Sequence, residues 1–469
     1  MKNTKRLMLM NYNYYKEIEQ KLELYAKKGL VLEKMGPYLW TFKKTEPQNL
    51  KYTVTYFAEG SVFNPHPTDN QQTYFDYAKA AGWDFVCEYN QMQIFCSSLE
   101  NPPEFETDEK EKLENIHKCM KKSFVVSQLL MLVVFALNLF LRLNSLKRNP
   151  TDFLSSNIDL TTFLMFFCII LYSSYTLINY YMWYNKSKKS VDMGGSIIEN
   201  FNKTRRYFNI GYIIFLFSLV GYMFMHLLTN TAFGIIALSV VQLPLFALIF
   251  WGSITLLKRR KISANANKII SISLLIITGV LYLGFIFYSI PRFSFSERSN
   301  KPYTTVDWEV YEGMTREYRL YSDKIPLTCE DLYGHIDFEY YSYEADVEDT
   351  PMLHRSHYSQ TRPPMKNAPP KLEYSIYKPK FEFVKNIVVS DLTKLEDWSD
   401  RKLETLDNAI FSTEKAYAFY YEEANEKLFS GEYILVFTDK IIQIDAETSF
   451  TDEQIEIIKN KLLSGNNKV

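Results

Sequence analysis

The sequence predicts a multi-domain membrane protein: an N-terminal α+β domain, a five-helix transmembrane bundle and a C-terminal α+β extracellular domain. Three observations predict this fold class, namely five long apolar runs, a repeat in the first hundred residues and a charge difference between the two ends. From residue 291 onward the chain has 33 Asp and Glu against 22 Lys and Arg, and the part before it has 21 against 31. Such parts are expected to face different surroundings. The predicted domains are residues 1–105, a basic juxtamembrane linker at 106–123, membrane helices at 124–290 and an acidic extracytoplasmic domain at 291–469.

The N-terminal domain contains an internal repeat, because two segments match at a shift of 53 residues. The segments are YAKKGLVLEKMGPYLWTF and YAKAAGWDFVCEYNQMQIF, which align Gly29 with Gly82. In each segment a helix is predicted to end at the glycine with positive φ, and two strands follow. The strands KRLMLM and KYTVTYF precede the helices. We expect a strand–helix–strand–strand unit used twice, which would form one antiparallel sheet with two helices on one face.

These motifs resemble a bacterial membrane-associated family of unknown function (a DUF family) whose members are often encoded beside PadR-type transcriptional regulators. The resemblance rests on EIEQKLELYAKKGL, YLWTF, YTVTYF and YFDYAKAAGWDFV, and loosely on DKIPLTCEDL in the C-terminal domain. It implies a PadR-type regulator as one candidate cytoplasmic partner. It implies no established activity and no catalytic residues.

The middle of the chain has five runs without Asp, Glu, Lys or Arg, each 18 to 26 residues long. A helix rises about 1.5 Å per residue, so ~20 residues cross a hydrocarbon core of ~30 Å. Five successive runs of this length predict five membrane helices in a lipid bilayer. The runs are Phe124–Leu141, Phe163–Tyr184, Tyr207–Leu228, Ala232–Leu257 and Ile269–Ile290.

The segments between these runs alternate in basic content, which predicts the orientation. Three of them hold 16 Lys and Arg, whereas the alternate three hold 6. Because Lys and Arg accumulate in cytoplasmic loops, the N-terminus is predicted inside a bacterial plasma membrane and the C-terminus outside. No signal peptide is visible, so the first run is expected to act as the insertion signal. The basic segments are Asp108–Ser123, Asn185–Arg206 and Lys258–Lys268, and the alternate ones are Arg142–Leu160, Thr229–Thr231 and Pro291–Lys301.

Polar residues inside the runs are expected to support helix packing rather than an ion pathway. His226 is the only titratable imidazole in the runs, and its predicted position near the outer end of the third run is interfacial. Four amides have the chemistry to bond between helices, and Pro244 is expected to kink the fourth helix. The amides are Gln128, Asn138, Asn209 and Gln242.

No residue is assigned to a catalytic, cofactor-binding or metal site. His354 and His357 in HRSH, with His335, lack the further ligands that zinc requires, so they are interpreted as exposed loop histidines. His117 and Cys119 precede the first apolar run without an orienting third group, so no nucleophile–base pair is assigned to them. No phosphate-binding loop or dinucleotide motif is present, and no cofactor is predicted.

The C-terminal domain is predicted to combine strands and helices. Strands are predicted in FEYYSYEADVED, LEYSIYKPKFEFV and GEYILVFTDKIIQI, and MLHRSHYSQTRPPMKNAPPK is predicted to be a long exposed loop. TDEQIEIIKNKLL is predicted to be a helix with a capping box between Thr451 and Gln454. TKLEDWSDRKLETLDNAIF is a second helical candidate. Cys329 is the only cysteine of this domain and is predicted to be a buried thiol.

The function that these observations favour is a non-enzymatic sensor or regulatory accessory, which links an extracytoplasmic domain to a cytoplasmic interaction domain. Its expected partners are the lipid bilayer, a cytoplasmic protein and an extracellular ligand of unknown identity. Direct nucleic-acid binding is not expected, because membrane orientation and anionic headgroups already account for the basic loops. A transport or antimicrobial-resistance component is the alternative function, and an envelope enzyme is a third.

Overall fold

The structure is a computed structural model of the chain. It describes all residues except 1–2, 9–13, 37–38, 105, 200–202, 231–245, 247, 297–300, 312–313, 366–367, 396–399, 424–425 and 463–469. The chain forms two compact units, which are described separately. The first unit comprises Met1–Leu137, Phe166–Gly221 and Ala232–Ser296, and the second comprises Asn138–Met165, Tyr222–Thr231 and Glu297–Val469.

The N-terminal part of the first unit has the predicted order strand–helix–strand–strand twice. The first copy contains β1 (Asn3–Leu7), α1 (Tyr15–Ala26), β2 (Leu30–Lys34) and β3 (Leu39–Lys44). The second copy contains β4 (Lys51–Tyr56), α2 (Asp69–Ala80), β5 (Asp84–Tyr89) and β6 (Met92–Ser97).

The two copies share their strand order and their local irregularities. The sheets are ordered β1-β3-β2 and β4-β6-β5, and all pairs are antiparallel. The pairing register shifts between Leu32 and Lys34 in β2, and between Phe85 and Cys87 in β5, which are equivalent at the 53-residue shift. Gly29 and Gly82 both end helices with positive φ, 73° and 86°, so this prediction is confirmed.

The expectation of one continuous sheet is wrong, because the copies form two separate three-stranded sheets. β2 and β5 are the edge strands that carry the register shifts. A bulge leaves one residue unpaired and bends its strand, which disfavours regular pairing along that edge. Helix α1 instead packs on the second sheet, where the Glu19 carboxylate accepts a hydrogen bond from the Val54 amide at 2.8 Å.

One hydrophobic core joins the two sheets of this unit. It contains Ile18 and Leu22 of α1, Phe42 of the first sheet, and Val54 and Ile94 of the second sheet, all less than 2% exposed. Helix α2 covers the opposite face of the second sheet through a smaller cluster. The clustered residues are Ala78, Trp83 and Phe95, with Tyr74, Phe75 and Ala81 packed against them.

A series of helices follows this domain, and part of it has candidate membrane-spanning character. They are α3 (Glu109–Met120), a π-helical turn at Lys121–Val125, α4 (Val126–Arg148), α5 (Pro150–Ser155), α6 (Asn157–Asp192), α7 (Lys203–Asn230) and α8 (Ala264–Ser296). Within the described residues, three helical stretches have the length and apolar composition to cross a membrane: Glu109–Arg148, Asn157–Asp192 and Ala264–Tyr282. Tyr207–Met223 of α7 is a shorter apolar helix. Most of the fourth apolar run, including Gln242 and Pro244, lies outside the described residues, as does the side chain of His226.

The second unit is built on a seven-stranded antiparallel sheet ordered β12-β13-β14-β15-β11-β10-β9. A two-stranded sheet of β7 and β8 precedes it. The elements are β7 (Tyr303–Tyr311), β8 (Met314–Tyr321), α9 (Cys329–Tyr333), β9 (Ser342–Asp349), β10 (Leu353–Thr361), β11 (Leu372–Pro379), α10 (Glu382–Leu392), β12 (Lys402–Leu406), α11 (Asn408–Phe411), β13 (Lys415–Glu423), β14 (Glu426–Val436), β15 (Ile441–Ala446) and α12 (Asp452–Leu462).

Two predictions for this unit are wrong. The segment predicted as a long exposed loop contains β10, which pairs with β9 and β11 along its whole length. The second helical candidate contains β12 at the edge of the sheet, followed by the four-residue α11. Both errors have one cause: pairing between distant segments decides strand formation, and polar composition does not report it. Helix α12 is confirmed with its capping box, in which the Thr451 amide donates to Gln454 Oε1 at 2.9 Å and the Gln454 amide donates to Thr451 Oγ1 at 3.4 Å.

Candidate functional site

The candidate site lies in the second unit, where the connection between α4 and α6 packs on the C-terminal sheet. Proline at the first position of α5 favours the helix start, since its fixed φ suits a helix and its missing N–H needs no partner there. Phe153 is 3% exposed and Leu154 is 7% exposed. Leu154 belongs to the same hydrophobic cluster as Tyr377 of β11 and Val384 and Val388 of α10. Burying one such side chain contributes roughly 1.5–3 kcal/mol, so the connection is part of this domain's core.

Polar bonds fix α5 in this position. The Thr151 amide donates to Asp391 Oδ2 at 3.0 Å, and the Arg355 guanidinium donates to Asp152 Oδ1 at 2.9 Å. The Thr350 hydroxyl donates to the Leu154 carbonyl at 2.7 Å. These bonds give one backbone group at each end a partner in a helix only six residues long, which would be unstable by itself. The docked conformation of α5 therefore depends on the C-terminal domain.

A cleft of about 420 Å³ opens at this junction. Its ammonium groups come from Lys147, at the end of α4, and Lys394, just after α10. Both side chains are exposed, and neither forms an ion pair with any residue that the structure describes. The lining also contains the Asp391 carboxylate, whose Oδ2 accepts from the Thr151 amide. Two cations without ion-pair partners in the described structure, beside the Ser390 hydroxyl and the Asn386 amide, suit a small anionic group such as a phosphate. The lining residues are Lys147, Pro150, Asn386, Ile387, Ser390, Asp391 and Lys394.

The segment DKIPLTCEDL forms a polar anchor elsewhere in this unit. Gln360 is fully buried; its Oε1 accepts from the Cys329 amide at 2.6 Å, and its Nε2 donates to both oxygens of Glu330 at 3.1 and 3.2 Å. The Tyr343 hydroxyl donates to Glu330 at 3.1 Å. The Leu327 amide donates to the Tyr374 hydroxyl at 2.9 Å. Such a satisfied network holds α9 on the sheet and leaves the carboxylate occupied.

The Cys329 thiol is buried, as predicted, and lies 3.4 Å from the Pro370 carbonyl. Burial raises the pKa of this thiol to about 12. A thiol with this pKa is protonated at neutral pH and is a poor nucleophile or metal ligand. Its location supports a packing role.

The histidines that the sequence singled out do not come together. His354 and His357 lie on β10 instead of the predicted loop, and because they are three residues apart they point to opposite faces. His354 Nδ1 is 3.5 Å from Asp349, whereas His357 Nδ1 is 3.0 Å from the Ser375 hydroxyl. Burial lowers the pKa of His357. No group of three or more potential metal ligands occurs among the described side chains.

A second docking region lies in the first unit, where α6 and the chain after it pack on the N-terminal domain. Ile197 is 2% exposed in the core, and its amide donates to Glu109 Oε2 at 2.7 Å. His117 Nδ1 lies 2.7 Å from the Tyr180 hydroxyl. Cys119 is fully buried in the same core.

The start of α8 and the segment before it also pack on this domain. The side-chain amide of Asn267 in α8 donates to the Phe63 carbonyl at 3.1 Å, and the Phe63 ring contacts that of Phe250. The two basic connections after α3 therefore belong to the first unit, and the connection between α4 and α6 belongs to the second. Sequence reasoning missed both docking regions, because contacts between segments far apart in the chain leave no local pattern.

Gln128 forms one of the predicted interhelical hydrogen bonds among the described residues of the first unit. The Thr176 hydroxyl of α6 donates to Gln128 Oε1 of α4 at 3.3 Å. Asn209 Oδ1 of α7 is buried and has no partner within the described structure. The bond at Gln128 is consistent with a packing role.

One family model matches part of the chain. Residues 14–128 match the model of a protein of unknown function, DUF2812. The match begins just before α1 and ends near the start of α4, so it contains most of the duplicated domain and the helix after it. No curated protein and no solved structure matches the chain.

Proposed function

We propose that this chain, with its DUF2812 segment at residues 14–128, is a multi-pass membrane protein that relays ligand binding at its C-terminal domain to its N-terminal domain without catalysing a reaction. The docking of α5 in the core of the C-terminal domain carries this proposal. Because α5 joins α4 to α6 directly, any displacement of α5 by a ligand acts on two candidate membrane helices at once.

The proposed topology has five membrane helices, with residues 1–105 in the cytoplasm and residues 291–469 outside a bacterial plasma membrane. The distribution of contacts supports it. The basic connections at 185–206 and 258–268 pack on the N-terminal domain, and the connection at 142–160 packs on the C-terminal domain. This is the alternation that the basic residues favour. The proposed cytoplasmic partner is a regulatory protein, for which a PadR-type regulator is a candidate.

The proposed ligand is a small anionic group bound in the cleft between Lys147 and Lys394. Such a group would be drawn to two ammonium groups that lack carboxylate partners within the described structure, and it would touch Pro150, the first residue of α5. A ligand shifts an equilibrium only if its affinities for the two states differ. Contact with α5 would provide that difference, because binding changes the interactions of the docked helix.

Reporter fusions test the topology. A reporter that is active only in the cytoplasm is expected to work after Lys189 or Lys261 and to fail after Val469. Activity after Val469 would overturn the five-helix arrangement.

Thiol labelling tests the relay in the full-length protein. Ser263→Cys, in a background without the native cysteines, is reconstituted into phosphatidylcholine vesicles, and its maleimide labelling rate is measured as inorganic phosphate is added. A second series replaces part of the lipid with phosphatidylglycerol, which separates a free phosphate from a lipid headgroup. One of the two is expected to change the rate, and Lys147→Ala/Lys394→Ala is expected to abolish the change.

Lys415→Ala is the matched control, because Lys415 is an exposed lysine of the same unit that does not line the cleft. It is expected to leave the response intact. The relay would be overturned if neither phosphate nor phosphatidylglycerol changed the labelling rate. It would also be overturned if Lys415→Ala lost the response as fully as the double variant.

A further inference from the structure

Equivalent sheet faces are buried in one copy of the repeat and exposed in the other. Because β3 and β6 align at the 53-residue shift, their pairing registers also align β1 with β4. We call Tyr52, Val54, Tyr56, Met92 and Ile94 the covered face of the second sheet. Its counterpart is the open face of the first sheet, with Asn3, Lys5, Leu7, Leu39 and Thr41 at the corresponding positions and Lys43 beside them.

Helix α1 packs on the covered face. Tyr52 and Tyr56 are each 4% exposed and Val54 is fully buried. Two carboxylates of α1 bind this sheet: Glu19 accepts from the Val54 amide at 2.8 Å, and Glu23 pairs with Lys51 at 3.4 Å. A helix with polar or acidic residues four apart, like Glu19 and Glu23, therefore has side chains that can bind this side of the repeat.

Within the part of the chain that the structure describes, no helix covers the open face in this way. Leu7 is 61% exposed and its cross-strand partner Leu39 is 55% exposed. Lys5 and Lys43 are exposed on the same face. Lys34 of β2 lies on this face as well, because it pairs with Thr41. Glu33 accepts a hydrogen bond from Asn3 at 2.8 Å and is the acidic residue at this site. The face is thus basic, with an apolar pair at one end.

Helix α2 has the complementary surface. Its exposed residues Asp69, Gln72 and Asp76 are spaced three and four apart, so they share one side of the helix, and the exposed Tyr77 adjoins Asp76. Tyr77 is 72% exposed. At the 53-residue shift, Gln72 and Asp76 are the counterparts of the α1 residues Glu19 and Glu23, which bind the covered face. Lys79 is the basic residue near the end of this surface.

We propose that two copies of this chain associate head to tail, with α2 of one copy packing on the open face of the next. The contact would repeat between molecules the packing that α1 makes within one molecule. Asp69 and Asp76 would meet Lys5 and Lys43, and Tyr77 would cover part of the exposed leucine pair. Because the two surfaces differ, the interface is heterologous, and it generates a ring or an open row of copies. Embedding in a bilayer would favour such a contact by raising the effective concentration of neighbouring copies.

Charge reversal tests the contact in full-length protein. The face variant is Lys5→Asp/Lys43→Asp, and the helix variant is Asp69→Lys/Asp76→Lys. Energy transfer between fluorescently labelled copies in phosphatidylcholine vesicles measures association at a fixed protein-to-lipid ratio. Each variant alone is expected to lose about tenfold or more in association, because like charges then face each other. A mixture of the two variants is expected to recover it, since each supplies the surface that suits the other.

Lys27→Asp/Lys28→Asp is the matched control, because it makes the same charge change at two exposed lysines away from the open face. It is expected to associate like the original chain. Thermal melting of every variant checks that the fold is retained. Association that survives in either single variant, fails in the mixture, or is absent from the original chain would overturn the proposal.

Discussion

The hydroxyl of Thr350 donates a hydrogen bond to the backbone carbonyl of Leu154 at 2.7 Å. Thr350 follows β9 in the C-terminal sheet, and Leu154 belongs to the connection between two candidate membrane helices 196 residues earlier. The same hydroxyl also accepts from the Leu353 amide at 2.9 Å. One side chain thus links the turn before β10 to α5, so the fold of this turn and the docking of α5 depend on each other.

Leu154→Ala should destabilise the second unit by about 2–4 kcal/mol, because it removes a buried side chain and leaves a cavity. The measurement is the shift of the thermal unfolding midpoint of detergent-solubilised full-length protein. Leu428→Ala is the control, since Leu428 is 48% exposed in the same unit, and it should cost far less. Equal effects of the two substitutions would show that α5 is not part of the core.

Gly29→Ala should cost more stability than Gly82→Ala. Both glycines have positive φ, which disfavours any residue with a Cβ. A Cβ at Gly29 would also lie 2.4 Å from the Thr45 carbonyl oxygen, which is backbone, whereas at Gly82 it would meet the Leu99 side chain at 2.8 Å. Leu99 is 50% exposed and has room to move. Thermal melting should therefore rank the Gly29 variant as the less stable one, and the reverse ranking would contradict this reading of the repeat.

Glu19→Gln should stabilise the first unit at neutral and higher pH. Burial raises the pKa of Glu19 from 4.5 to about 7, so the folded state holds this proton more tightly than the unfolded state does. The contribution of Glu19 to the free energy of unfolding therefore falls as the pH rises from about 4.5 to 7. Glutamine resembles the protonated acid and should remove this loss, by roughly 1–3 kcal/mol above pH 7.

The measurement is the melting midpoint of both proteins from pH 4.5 to 8. The difference should be small at the acidic end and should grow as the pH rises. Glu46→Gln, at an exposed position, controls for the loss of one negative charge. A pH-independent difference between Glu19→Gln and the original chain would contradict the raised pKa.

Gln360→Met should destabilise the second unit by about 2–4 kcal/mol although it nearly preserves volume. The substitution leaves the Cys329 amide and the Glu330 carboxylate without their bonds to this side chain, and an unmet buried polar group costs about 1–3 kcal/mol. Gln360→Glu should cost more at pH 8 than at pH 5, because a second carboxylate would face Glu330. Chemical denaturation at the two pH values measures both effects, and a neutral Gln360→Met would argue against the network.

Local signals in the sequence determined the elements whose cause lies within a few residues. The capping box of Thr451 and Gln454 predicted the start of α12, and Gly29 and Gly82 predicted two helix ends with positive φ. These features depend on short-range sterics and on hydrogen bonds between residues two to four apart. The apolar runs likewise predicted long hydrophobic helices, since length and composition alone identify them.

Only the tertiary structure decided which distant segments meet. The polar stretch around His354 becomes β10 because β9 and β11 supply partners on both sides, and its composition contains no sign of them. The repeat revealed two equivalent units, but the packing of α1 on the second sheet left the face of Leu7 and Leu39 open. In the same way α5 is a six-residue helix that gains its stability from Thr350 and Asp391, about 200 residues or more away in the chain. The physical reason is that long-range contacts depend on surface complementarity in three dimensions, whereas sequence periodicity reports only which side of an element is apolar.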